Sequence, residues 1–454
     1  MGRLFGTDGV RGIANSELST HMAYRIGRVL AHVLTREQGK SPKILVGMDT
    51  RRSGPMLGAA LCSGICSAGG NVINLGIIPT PAVAYLVREL KGSAGVVISA
   101  SHNTMEYNGI KIFNSEGFKL PDEQEDEIEA FVLGRGDDLP ILTGKDIGSI
   151  IEDYNAIEHY VNYMVAVYNS ISGMVDLKGI KIAIDCAEGA TYEAAPAILR
   201  RLGADVHVIH NKPNGININE SCGSTHMGSI RKYVLDNKMD IGIAFDGDGD
   251  RCLMIDERGH DIDGDQIMSI CSHYMKESGR LNKNTLVVTV MSNMGLARMA
   301  RENNINLQRT AVGDKFVMER MLEIGALLGG EQSGHIIFLN HNTTGDGILT
   351  ALNVLNIMKQ KDESLSDINV RMKVMPQVLV GAVVSNSKKY DYDKLPQIAA
   401  AIKELEASYE DKGRVLIRAS GTEPLVRIMI EGEDKAKMQI EAQMIKELIE
   451  KHLG

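Results

Sequence analysis

The residues that could do chemistry fall in four short loops. The first is DGDGDR, residues 246–251, where Asp246, Asp248 and Asp250 alternate with Gly247 and Gly249 before Arg251. Three hard oxygen donors on a backbone free to turn suit Mg²⁺ or Ca²⁺. An EF-hand is the competing pattern, with Glu257 at its twelfth position, but Arg251 replaces the required sixth-position Gly and CLMI reads as a strand. Without a cation, three acids placed just after the buried run IGIAF would repel one another. The second loop is SASHN, residues 99–103, with Ser101 beside His102 and with Lys111 ten residues on, at the start of a further strand. No G-x-S-x-G elbow is present, and taken alone Ser101 reads as a turn residue rather than a nucleophile. The third is GGEQSGH, residues 329–335. There Glu331 and Ser333 can grip vicinal sugar hydroxyls, and His335 can move a proton or donate to an anion. The fourth is RASGTEPLVR, residues 418–427. Arg418 and Arg427 bracket Ser420, Gly421 and Thr422, a grouping suited to a phosphate although no P-loop pattern is present.

Three of these loops end units with one order of elements: strand, helix, strand, helix, strand, polar loop. The first unit runs through KILVGMDTR, NVINLG and GVVISASHN. The second runs through IKIAIDCAEGA, GADVHVIHN and IGIAFDGDGDR, and the third through NTLVVTVMSNMG, INLQRTAVGDK and ALLGGEQSGHIIF. The strands are near-continuous apolar runs, as in mainly parallel sheets covered on both faces. Ligands bind at the carboxyl ends of such strands. After KVMPQ the pattern changes to VLVGAVVS, a charged helical stretch over 393–411, RVLIRASG, LVRIMIEGE and a last helix over about 435–451, which reads as a small α+β domain. The stretch 133–148 reads as a connecting loop. The expected domains are therefore 1–154, 155–256 and 257–371, three similar α/β domains with mixed, mainly parallel sheets, and a smaller α+β domain over 372–454.

The bulk properties narrow the function. The chain has 454 residues, too many for one core. Its 49 Lys and Arg against 58 Asp and Glu leave a net charge of −9, a poor match for polyanionic nucleic acid. No apolar run approaches a membrane span, and MGRLFGTDGVRG has no signal core, so a cytoplasmic location is expected. The six cysteines form no CxxC or zinc pattern and read as reduced structural thiols; TGDGI over 344–348 reads as a helix start with Asp346 near its N-cap. Together the four loops point to phosphoryl transfer on a sugar phosphate. With no nucleotide-binding motif present, a serine that stores the phosphoryl group supplies the missing donor.

FGTDGVRG from residue 5 and the four loops in this order closely resemble the α-D-phosphohexomutase superfamily over nearly the whole chain. FGTDGVRG with GEQSGH points to its glucosamine branch rather than to the phosphoglucomutase/phosphomannomutase branch. The resemblance implies four domains around a central cleft and a phosphoserine at Ser101. It implies one Mg²⁺ held by Asp246, Asp248, Asp250 and Ser101, and a glucosamine 1,6-bisphosphate intermediate between α-D-glucosamine 6-phosphate and 1-phosphate. Arg11, His102, Lys111, Arg251 and His335 would line the reaction centre, with Lys111 as the proton-transferring group. Glu331 and Ser333 would recognise the sugar, and Arg418, Ser420, Gly421, Thr422 and Arg427 the phosphate that is not reacting. The implied partner is a small amino sugar phosphate, with no nucleic acid and no membrane, and any self-assembly is expected to be a homodimer. The product would feed UDP-N-acetylglucosamine and peptidoglycan precursors. The family usually has Pro after SHN. Thr104 stands there instead, which removes a fixed φ and predicts a looser loop. The rival readings are a phosphoglucomutase or phosphomannomutase, a catalytically idle sugar-phosphate sensor, and a metal-dependent phosphatase.

Overall fold

The strands of the repeat form three sheets of one design. The computed structural model describes residues 4–6, 8–135, 139–386, 388–410, 412–420 and 424–454. The first sheet holds β1 (Val10–Ile13), β2 (Lys43–Met48), β3 (Asn71–Ile77), β4 (Ala94–Ile98), β5 (Tyr107–Asn114) and β6 (Ile150–Glu152), ordered β1-β5-β4-β2-β3-β6. The second holds β7 (Lys181–Asp185), β8 (Asp205–Ile209), β9 (Ile241–Phe245), β10 (Cys252–Asp256) and β11 (Asp261–Ile262), ordered β11-β10-β9-β7-β8. The third holds β12 (Thr285–Thr289), β13 (Asn306–Thr310), β14 (Leu328–Gly330) and β15 (Ile336–Phe338), ordered β13-β12-β14-β15.

In each sheet the unit's first strand lies between its second and its third, and all three run parallel. The third strand then turns back as an antiparallel hairpin: β4 into β5, β9 into β10, β14 into β15. The order of elements read from the sequence is therefore also an order in space. The three polar loops are the turns of these hairpins, at the carboxyl ends of β4, β9 and β14. β4 and β9 are buried along their whole length, which accounts for their unbroken apolar runs.

Two details differ from the sequence reading. Lys111 lies in the middle of β5, opposite Val97, rather than at a strand start. The segment read as a connecting loop leads into β6, a three-residue edge strand whose side chains are all exposed, so its apolar character carried no burial signal.

The chain divides into two compact units, Met1–Met291 with Asn303–Arg371 and Ser292–Glu302 with Met372–Gly454. The second contains an antiparallel sheet of β16 (Gln377–Val383), β17 (Arg414–Ala419) and β18 (Leu425–Glu431), ordered β16-β18-β17, with helices Pro396–Ser408 and Lys435–Leu453. Its core joins Val426, Ile428 and Ile430 of β18 to Ile398 and Ile402 of one helix and to Met438, Ile445 and Ile449 of the other. The core residues of β18 alternate, and those of the helices recur at helical spacing, so each element turns one face into this core. All six cysteines are free. Asp346 caps helix Gly347–Lys361 by accepting the Leu349 N–H at 2.9 Å. Among the described residues no helix is long and apolar enough to cross a membrane.

Candidate active site

The metal-type loop joins antiparallel β9 to β10, with Phe245 opposite Cys252. The register leaves a six-residue turn, residues 246–251, in which Asp246, Asp248 and Asp250 are all buried. Each offers an oxygen within 4.8 Å of the others'. Asp246 Oδ2 accepts the Ser101 hydroxyl at 2.6 Å, and its Oδ1 accepts the Arg251 N–H at 3.1 Å. Asp248 Oδ2 accepts Thr80 Oγ1 at 2.7 Å and Lys111 Nζ at 2.9 Å. Asp250 Oδ2 accepts Lys111 Nζ at 3.2 Å.

Two oxygens are left over. Asp248 Oδ1 and Asp250 Oδ1 are buried with no hydrogen-bond partner among the described residues. Burial, then the neighbouring Asp250 and Asp248, push the Asp246 carboxyl well above the usual range. Crowded buried carboxylates with orphaned oxygens are the arrangement that a bound cation would satisfy. The donors are all hard oxygens, so this chain's residues fit a divalent ion of the Mg²⁺ type.

The serine loop follows β4. Ser101 is buried, and its Oγ lies 3.4 Å from His102 Nδ1 as well as against Asp246. Burial, then Arg251 and Arg11, lower His102 to about 4, so its ring is neutral at neutral pH. The loop meets the metal loop backbone to backbone: a Cβ on Gly247 would stand 2.7 Å from Ser101 O, 2.7 Å from Asn219 Nδ2 and 2.8 Å from Ile218 Cδ1. Only glycine permits this approach.

Lys111 comes from β5, and Arg11 from β1, which pairs with β5 so that Arg11 faces Gly109. Burial acts to lower the Lys111 amine, but Asp248, Asp8 and Asp250 overcome it and hold the amine well above its usual value. Asp8 bridges the cations: it pairs with Arg11, lies 3.2 Å from Lys111 Nζ and accepts Lys119 Nζ at 2.7 Å. Arg251 Nε lies 3.8 Å from Asp250 Oδ1, in a partly exposed side chain.

His335 closes this cluster from the third sheet. Its Nδ1 lies 3.7 Å from Asp250 Oδ1 and its Nε2 3.6 Å from Asp314 Oδ2. The Gly345 N–H donates to Nε2 at 3.0 Å, so in the neutral ring the proton sits on Nδ1, facing Asp250. Glu331 starts the same hairpin turn, is half-buried, and accepts the Gly313 N–H at 3.2 Å. Burial raises its carboxyl. Ser333 sits at the exposed tip of the turn.

The three sheets of the first unit thus bring together Ser101, His102, Lys111, Arg11, the aspartate triplet, Arg251 and His335. Sequence reasoning missed Asp8, Thr80, Lys119, Asp314, Arg51 and Asn219. Asp8 carried a signal inside FGTDGVRG; Arg51 and Asp314 lie in strand segments of the repeat without any mark of their role, and the others sit outside any motif.

In the second unit Arg418 on β17 stands directly opposite Arg427 on β18. Like charges so placed repel, and burial followed by Arg427 lowers the Arg418 guanidinium. Arg418 Nε is buried with no hydrogen-bond partner among the described residues. Ser420 is buried, and its N–H donates to Leu425 O at 2.8 Å. A bound anion relieves such a pair. Gly421 and Thr422 lie outside the described residues.

Four family descriptions match in series: phosphoglucomutase/phosphomannomutase α/β/α domain I over residues 2–136, domain II over 158–259, domain III over 263–374 and the C-terminal domain over 379–448. The chain belongs to the phosphoglucomutase/phosphomannomutase family and is a mutase of the phosphohexomutase class. Its full-length relatives narrow the class. It is 56% identical over 454 residues to a phosphoglucosamine mutase of Ruminiclostridium cellulolyticum, covering 100% of both chains. It is 54% identical, with the same coverage, to one of Acetivibrio thermocellus. Among solved structures it resembles a phosphoglucomutase/phosphomannomutase family protein from Burkholderia thailandensis, with TM-score 0.80 and 23% identity over 100% of this chain and 99% of that one. It also resembles the N-acetylphosphoglucosamine mutase of Aspergillus fumigatus, solved with GlcNAc-6P and magnesium, with TM-score 0.73 and 18% identity over 99% and 96% of the two chains. At those identities the likeness is one of fold.

Proposed function

We propose that the chain is a phosphoglucosamine mutase that interconverts α-D-glucosamine 6-phosphate and α-D-glucosamine 1-phosphate, with Ser101 as the phosphoryl carrier. The contact that supports this most is Ser101 Oγ at 2.6 Å from Asp246, inside the aspartate triplet. The choice of amino sugar rests on the names of the full-length relatives.

In the forward direction the phosphoryl group on Ser101 passes to the sugar's 1-hydroxyl. The new P–O bond forms as the P–Oγ bond breaks, the hydroxyl proton is taken up in the site, and Ser101 Oγ regains a proton. The resulting glucosamine 1,6-bisphosphate turns over. Its 6-phosphoryl then returns to Ser101, leaving the 1-phosphate and a recharged enzyme. Mg²⁺ on Asp246, Asp248, Asp250 and Ser101 would neutralise charge on the transferring oxygens. Lys111 is the proposed proton-transferring group, and Arg251, Arg11 and His335 add positive charge or donors where negative charge develops. The neutral ring of His102 flanks Oγ without adding positive charge beside it. Glu331 and Ser333 are assigned to the sugar hydroxyls, and Arg418, Ser420 and Arg427 to the phosphate that is not reacting. Burial of Ser101 keeps water from the stored phosphoryl group.

Ser101→Ala is expected to abolish turnover and to remove the one-phosphoryl mass increment from its peptide. A variant with near-normal turnover would end the stored-phosphoryl reading. Relative turnover on glucosamine, glucose and mannose phosphates separates this substrate assignment from that of a phosphoglucomutase or phosphomannomutase.

A further inference from the structure

The serine loop is held by its carbonyl oxygens, and from two sides. Arg51 lies just past β2, is fully buried, and is paired through Nε with Asp49 Oδ2 at 2.8 Å. Its Nη2 donates to Ser101 O at 2.9 Å and to Asn103 O at 2.8 Å. Its Nη1 donates to Tyr107 O at 3.1 Å and to Thr104 O. Asn219 reaches the loop from the segment between β8 and helix Gly228–Asn237. Its Nδ2 donates to the same two oxygens, Ser101 O at 2.9 Å and Asn103 O at 2.8 Å. Ser101 itself has φ +53°, in the left-handed region that a serine seldom adopts unaided. Its N–H donates to Ser99 Oγ at 2.9 Å, which in turn donates to Asp49 Oδ2 at 2.7 Å.

We propose that Arg51 and Asn219 are positioning residues that impose the left-handed turn at Ser101 and so aim Oγ at the aspartate triplet. Arg51 acts from the sheet that carries the serine. Asn219 acts from the domain that carries the metal loop, so the aim of the hydroxyl depends on both being in place. A guanidinium is the one side chain with enough donors in a fixed fork to satisfy four converging carbonyls. This hold also answers the expectation that Thr104 loosens the loop: it grips carbonyl oxygens, which proline and threonine share. The inference rests on Ser101 being the phosphoryl carrier.

The test uses the full-length enzyme with Mg²⁺. Asn219→Asp keeps the shape and the tolerance of positive φ but turns the donor into an acceptor facing two carbonyls. The expected result is a kcat on glucosamine 6-phosphate lowered by about 30-fold or more, with KM within about threefold. Loading of Ser101 from glucosamine 1,6-bisphosphate, read by intact mass, should slow by a similar factor while the thermal midpoint stays close to wild type. Arg51→Lys keeps the charge beside Asp49 and should show the same split. If that variant fails to fold, Asn219→Asp decides. Wild-type turnover and loading in Asn219→Asp, or a loss of activity matched by a loss of folded protein, would overturn the inference. Ser101→Ala, measured alongside, separates the two readings. An active Ser101→Ala removes the carrier and with it the object of the hold. An inactive Ser101→Ala beside a normal Asn219→Asp removes the hold alone.

Discussion

Gly247→Ala tests how closely the serine loop and the metal loop must interlock. Gly247 is not among the residues with positive φ, so the added methyl group acts by volume and not by backbone strain. Its Cβ would stand at 2.7 Å from Ser101 O and from Asn219 Nδ2, whereas close Cβ contacts begin at 3.0–3.4 Å. The two loops must therefore part by roughly 0.3–0.7 Å, and overpacking of this kind costs about 1–3 kcal/mol. That loss is small for a chain of this size, so the protein should stay folded. The chemistry should suffer more. A misplacement of about 1 Å costs on the order of 100-fold in rate, so half of it corresponds to about tenfold. The measurement is steady-state turnover of glucosamine 6-phosphate at saturating Mg²⁺, with circular dichroism melting as the control. A kcat near tenfold below wild type with little change in KM is expected. A folded variant with wild-type kcat would refute the argument, because it would mean that the distance between hydroxyl and triplet is not critical.

The other predictions touch separate parts of the molecule. Asp248→Asn removes one of three carboxylates while keeping an acceptor for Thr80, and the Mg²⁺ needed for half-maximal activity should rise by on the order of 100-fold; an unchanged Mg²⁺ titration would exclude Asp248 as a ligand. Arg418→Ala should raise KM for the sugar phosphate by about tenfold to a hundredfold, the loss of a charge-assisted contact, without shifting the Mg²⁺ titration; an unchanged KM would take the Arg418–Arg427 pair out of phosphate binding. His210 donates to Asp185 across 2.9 Å, and that hydrogen bond raises its folded pKa against the opposing effect of burial. Its contribution to stability is therefore full below the unfolded histidine value of about 6.5 and fades as pH rises through the raised folded value. His210→Gln should lower the urea midpoint more at about pH 5.5 than at about pH 8.5, and an equal loss at both would contradict the assignment.

The parts of the fold and site that could be read from the sequence were those written in local pattern. The unbroken apolar runs of β4 and β9 announced buried parallel strands, and the alternation of Asp and Gly in 246–250 announced a turn on which three carboxylates converge, because each signal is complete within a few residues. β6 escaped because an exposed three-residue edge strand buries nothing that would pattern it. Asn219 escaped for a different reason. It stands in NGININES, which carries no pattern of its own, and its use depends on an approach to Ser101 from 118 positions away. Arg51 closes the strand segment KILVGMDTR, where nothing local marks it for burial. Only the folded chain shows it as one of the largest fully buried side chains.

Each parallel array ends in a strand that reverses on itself. Reversal takes a short turn, whereas a parallel return needs a dozen residues or more and a helix. Every reactive loop therefore hangs from two adjacent strands of a single hydrogen-bonded ladder, and its two roots cannot travel independently. In the proposed reaction a substrate that turns over between half-reactions would meet reactive groups mounted on stiff plates, and any accommodation it demanded would fall on a whole plate rather than on one loop.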